Sequence, residues 1–94
     1  MKVRFNRGAL ADIDEITSYI AARNPKAAAD LQARFEEVAA LIGRMPGIGV
    51  RTGKASLRKF VVGSYLVVYE VSANEIIIHY VRHGARQRPW QGEA

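Results

Sequence analysis

The chain has 94 residues, 49% of them apolar and 24% charged, with no cysteine and a net charge of +5. Such a profile excludes an intrinsically disordered chain, a disulfide scaffold and a thiolate metal centre. The charge is uneven: residues 1–44 set seven Lys/Arg against six Asp/Glu, whereas residues 45–94 set seven against three, which directs the second half toward an anionic partner.

This length holds one domain over residues 1–94, with a basic tail from about residue 84. No apolar run approaches the roughly 20 residues of a membrane span, and Met1-Lys2 leads into a strand-like segment rather than a signal peptide. With cysteine absent, the expected location is the cytoplasm, away from any membrane.

Lys2–Phe5 alternates charge with Val3 and Phe5 and predicts a short strand. Gly8–Arg23 places Leu10, Ile13, Ile16, Thr17 and Ile20 on one stripe at helical spacing. Asp12, Asp14 and Glu15 fall in its first two turns, where the helix dipole favours carboxylates. Asn24-Pro25 then signals a restart: asparagine caps, and proline at the first helical position loses no hydrogen bond. Ala28, Leu31, Phe35, Val38 and Ile42 repeat at gaps of three and four, too briefly for a coiled coil, so an antiparallel helical hairpin is expected. Gly43 ends that helix, and Pro46–Gly53 follows as a flexible connector. Its glycines, Arg51 and Lys54 lack the order of a phosphate-binding loop.

Leu57–Val62, Tyr65–Val71 and Ile76–Arg82 are rich in β-branched and aromatic residues, with turns at Gly63-Ser64 and Ser72-Ala73-Asn74. The fold expected is therefore α+β: an N-terminal strand and an antiparallel helical hairpin packed on a small, mainly antiparallel sheet, in the order β-α-α-β-β-β. The middle strand is apolar on both faces, Tyr65, Val67 and Tyr69 on one and Leu66 and Val68 on the other. Two apolar faces need two covers, and the helical hairpin supplies one. The second cover is expected from a partner chain.

The candidate functional residues gather around the last strand. His83 lies between Arg82 and the tail arginines Arg86 and Arg88, an arrangement suited to acid catalysis beside a phosphate, but no second acid/base group is near in sequence. His79, inside the strand, reads as structural. Arg58 is placed either to join Arg86 in a clamp for a carboxylate or phosphate, or to guard a sheet edge against aggregation. Trp90 either folds back on the core or anchors a partner. No cofactor or metal is called for, since two histidines four apart on a strand are not completed by a further ligand.

Taken together, Leu57-Arg58-Lys59-Phe60, Gly63-Ser64-Tyr65-Leu66-Val67-Val68-Tyr69 and Val81-Arg82-His83-Gly84-Ala85-Arg86 resemble the ParE branch of the RelE/ParE toxin superfamily. The resemblance covers most of the chain, and the His-Gly-x-Arg ending is its sharpest part. In the ribosome-dependent RNase branch, the residue three before the tyrosine of the middle strand is typically arginine, whereas Leu66 stands here. The tail Arg88-Pro89-Trp90-Gln91-Gly92 also lacks that branch's C-terminal tyrosine, although Arg86 matches an arginine the RNases use. The resemblance therefore implies a non-enzymatic toxin of a type II toxin–antitoxin system that poisons DNA gyrase by protein–protein binding. The alternative it implies is a RelE-type mRNA endonuclease using Arg58, Arg86 and His83. It further implies a hetero-oligomer with a ParD-like antitoxin, operator DNA being reached only through that antitoxin. Arg58, Tyr65, Leu66, Arg82, His83, Arg86 and Trp90 are the residues expected to meet antitoxin or target.

Overall fold

A computed structural model describes residues 1–54 and 56–84. The elements run β1 (Lys2–Phe5), α1 (Arg7–Ala21), α2 (Pro25–Arg44), β2 (Val50–Arg51), β3 (Leu57–Val62), β4 (Tyr65–Val71) and β5 (Glu75–His83). The strands form one sheet in the order β1-β5-β4-β3-β2. β1 lies parallel to β5, and every other neighbour is antiparallel. The expected α+β architecture is present with one addition. β2, two residues long, forms inside the segment read as a connector, where Val50 pairs with Lys59 and Arg51 with Arg58. Two residues carry no periodicity, so only the exposed edge of β3 specifies them.

Both helices start on asparagine. Asn6 Oδ1 accepts from Ala9 N at 2.9 Å, and Asn24 Oδ1 accepts from Ala27 N at 3.0 Å, with Pro25 in the first turn of α2. α1 carries no acidic residue in its first turn. The expected dipole role for Asp12, Asp14 and Glu15 therefore fails, because that effect fades beyond the first turn. Leu10 is also corrected: it is exposed, and Ala9 takes the core position. The start of α1 approaches the sheet too closely for a large side chain, a Cβ on Gly8 lying 3.3 Å from His79 O. Gly43, expected to stop α2, is instead buried within it. There a Cβ would lie 3.0 Å from both Met1 O and Val3 Cγ2, so glycine serves the approach of β1 to the helix.

The core forms between the helices and one sheet face. Phe35, Val38 and Ile42 of α2 and Ala9 and Ile13 of α1 meet Val62, Val67, Tyr69, Ile76, Ile78 and Val81. Alternation along β5 breaks at His79: Tyr69 pairs with Ile78 and Val68 with Tyr80, leaving His79 as the extra residue of a bulge. The bulge shifts the phase of the strand, so Ile76 and Ile78 before it and Val81 after it all reach the same core.

The loop after α2 is not a free connector. The Tyr69 hydroxyl donates to Pro46 O and accepts from Gly49 N, both at 2.8 Å, while Arg58 Nη1 donates to Gly49 O at 2.7 Å and Gly47 O at 3.4 Å. Two side chains from the sheet thus tie down a loop whose own composition suggests freedom.

Candidate functional site

β1 flanks β5 only from Glu75 to Ile78. Past that point the chain has turned into α1, and β5 would be left with an open edge. Asp12 closes it: Oδ2 accepts from Val81 N at 2.9 Å and from Arg82 Nη1 at 2.8 Å. A carboxylate on the helix thereby does for β5 what a longer β1 would have done, and it neutralises Arg82 in the same contact.

Beside this junction, between α1 and the ends of β4 and β5, lies an open cleft of about 530 Å³. Asp12, Glu15, Ile16 and Tyr19 form its helical wall, and Tyr65, Arg82 and His83 its sheet wall. Tyr65 is held edge-on by Phe35, with ring centroids 5.9 Å apart, and by His83 at 5.1 Å. His83 Nδ1 is buried without a hydrogen-bond partner among the described residues. Among the described residues no carboxylate is hydrogen-bonded to this imidazole, which is packed by the Tyr65 ring. On the helix side, the Arg23 guanidinium sits 4.6 Å above the Tyr19 ring, and hydrogen bonding to Tyr19 raises its pKa above the ordinary arginine value.

The sheet face turned away from the helices is the second surface. In register across it lie Val61, Leu66 and Arg82, and beside them Lys59, Val68 and Tyr80. Val68 is closed over at 3% exposure, whereas Val61 is 67% exposed and Leu66 half-buried. Arg82 stacks on Tyr80 at 4.5 Å and reaches round the strand to Asp12, so it borders both surfaces. Among the described residues, Arg51, Lys54 and Lys59 take part in none of the ion pairs, which join Arg4 to Glu75, Lys26 to Asp30, His79 to Glu70 and Arg82 to Asp12.

The residues singled out from sequence therefore divide. Tyr65, Leu66, Arg82 and His83 come together where β4 starts and β5 ends. Arg58 does not join them. It pairs with Tyr69, four residues along β4 from Tyr65, about 13 Å at strand spacing. Its guanidinium serves the loop carbonyls, a role that neither the clamp nor the edge-guard reading anticipated. Arg86 and Trp90 lie outside the described residues. Asp12, Glu15 and Tyr19 were missed as site residues; the signal was that Asp12, Ile16 and Tyr19 share a stripe at spacings of four and three. His79, read as structural, sits within the sheet with its Nε2 2.8 Å from Glu70 Oε1. Among the described residues no group of three or more His, Asp or Glu side chains is placed to hold a metal ion, and no helix is long and apolar enough to cross a membrane.

The fold is shared by several solved structures. The chromosomal ParDE toxin–antitoxin system of P. aeruginosa superposes with a TM-score of 0.79 at 19% identity, over 88% of this chain and 95% of that one. The RelBE2 toxin–antitoxin complex of Mycobacterium tuberculosis gives 0.61 at 23% identity, over 87% and 95%. The solution structure of the conserved hypothetical protein HP0894 from Helicobacter pylori gives 0.56 at 13% identity, over 90% and 96%. No curated protein sequence matches. The family model for the ParE toxin of the type II toxin–antitoxin system parDE matches residues 3–88, and the chain belongs to that family. It is thus a type II toxin of the RelE/ParE superfamily.

Proposed function

We propose that this toxin acts by binding alone: it poisons DNA gyrase through protein–protein contact and is neutralised by a ParD-like antitoxin with which it forms a hetero-oligomer. The observation that carries the reading is the pairing of Leu66 with Arg82 across β4 and β5. Leu66 stands where the resembling RNases place a phosphate-binding arginine, and its cationic neighbour is already neutralised by Asp12. An aliphatic side chain in place of a preorganised donor forfeits about 3–4 kcal/mol of transition-state stabilisation. His83 adds to this, since among the described residues no carboxylate holds it in a catalytic tautomer.

The outer sheet face supports the antitoxin half of the proposal. Val61 and Leu66 offer apolar area worth about 25 cal/mol per Å² when covered, and Lys59 flanks them with positive charge. An acidic amphipathic segment complements both.

Purified toxin is assayed in parallel on gyrase with supercoiled plasmid and on translating ribosomes. Inhibition of gyrase with stabilised DNA breaks, and intact mRNA, is the expected pair of results. Codon-specific mRNA cuts with gyrase unaffected would replace this reading by the endonuclease one.

A further inference from the structure

We infer that His79 is a proton-responsive positioning residue: taking up a proton on Nδ1 removes the acceptor used by the Asn6 amide and so releases the N-cap of α1. The imidazole spans three strands' worth of sheet, from Asn6 at the end of β1 across β5 to Glu70 on β4. Its Nδ1 lies 3.1 Å from Asn6 Nδ2 and its Nε2 2.8 Å from Glu70 Oε1.

The hydrogen positions follow from the cap. Ala9 N–H can only donate, so the Asn6 atom 2.9 Å from it is the oxygen. The Asn6 atom facing His79 is then the amide nitrogen, which also only donates. Nδ1 must accept, and the neutral ring carries its proton on Nε2, donating to Glu70. Every member is satisfied in this one arrangement.

Protonation destroys the agreement. The imidazolium still donates from Nε2 to Glu70, but Nδ1–H now faces an NH₂ group. If Asn6 flips to offer its oxygen to His79, its nitrogen turns to Ala9 N–H and the cap is lost. If it does not flip, two donors meet. The repulsion between the two donors favours the flip, and with it α1 loses a contact at its first turn, while Asn6 N still bonds to Ile78 O at 3.0 Å and holds the strand end in place. The bulge at His79 makes the arrangement available, because the extra residue can face Glu70 and Asn6 without displacing Ile78 or Val81 from the core.

Among the described residues, the other charges on the neighbouring elements are paired or exposed. On β1, Arg4 is paired with Glu75. On α1, Arg7 is exposed at the first helical position. On β3, Lys59 sits across from Val68, and on β5 itself Arg82 is paired with Asp12. Glu70 is the charged group in contact with the imidazole. Because α1 carries Asp12, Ile16 and Tyr19 into the cleft, loosening its start in acid would alter one cleft wall. The cap coupling itself stands independently of the proposed function.

The test uses the full ¹⁵N-labelled chain. Long-range ¹H–¹⁵N NMR above the His79 titration should show the Nε2–H tautomer. Hydrogen exchange at the Ala9 amide should lose protection at least about threefold, beyond the intrinsic pH effect, with the midpoint of the His79 ring. In Asn6→Asp the carboxylate accepts from Ala9 N–H and from Nδ1–H together, so the His79 midpoint should rise and Ala9 should stay protected through the titration. An Nδ1–H tautomer, Ala9 protection that ignores the His79 midpoint, or an unchanged midpoint in Asn6→Asp would each overturn the inference.

Discussion

Gly49 and Tyr69 lock together at van der Waals limits: the glycine N–H donates to the tyrosine hydroxyl at 2.8 Å, and a Cβ on Gly49 would lie only 2.6 Å from that oxygen. The hydroxyl in turn donates a hydrogen bond to Pro46 O, so one buried phenol organises the turn from α2 into β2. Tyr69→Phe should leave Gly49 N and Pro46 O without their partner and cost about 1–3 kcal/mol, read as a lower urea midpoint at unchanged slope.

Gly49→Ala should cost a similar amount for the opposite reason. Its methyl group also meets the backbone at Lys59 O, 2.8 Å away, which cannot rotate aside. Thermal unfolding checks it, and wild-type stability in this variant would show that the loop moves freely.

Asp12 separates charge from hydrogen bonding. Asp12→Asn keeps a side-chain oxygen for Val81 N–H but weakens the contact to Arg82; Asp12→Ala removes both. The alanine variant should be destabilised by about 1–2 kcal/mol and the asparagine variant by less than half of that, in chemical denaturation. Equal losses would mean that the ion pair, and not closure of the β5 edge, is what counts.

Arg58 is expected to behave as a loop tether. Arg58→Ala should lower stability by about 1 kcal/mol and leave antitoxin affinity within twofold, because its guanidinium is spent on Gly49 O and Gly47 O. Titration calorimetry showing a tenfold weaker complex would return Arg58 to the binding surface.

Val61→Glu probes the outer face. The side chain is exposed, so stability should change by no more than about 0.5 kcal/mol. Binding of an acidic amphipathic antitoxin segment should weaken at least tenfold, about 1.4 kcal/mol, from lost apolar contact and added like charge. Unchanged affinity would move the antitoxin to another surface.

Much of this molecule is legible in its residues. The hairpin turns at Gly63-Ser64 and Ser72-Ala73-Asn74 lie between strands whose limits match the alternation for Leu57–Val62 and Tyr65–Val71, and the restart at Asn24-Pro25 stands as read. These are local matters, settled by turn chemistry, capping and periodicity over a few bonds. The ParE resemblance, carried by three short motifs, likewise agrees with the family match over residues 3–88.

What tertiary structure alone decided are the long-range pairings. Arg58 looks like a free cation until a loop nine residues earlier offers it a carbonyl. Asp12 looks like a dipole-favoured carboxylate until β5, 69 residues later, presents an N–H with no strand beside it. His79 and Leu10 change meaning at a bulge and at a close helix–sheet crossing that no period of 2 or 3.6 records. The sequence by itself therefore determines the longer elements and the family, because those depend on neighbours along the chain. Which polar side chains are consumed by the fold and which remain for a partner is decided only when distant backbone groups, each needing a hydrogen bond, are brought face to face.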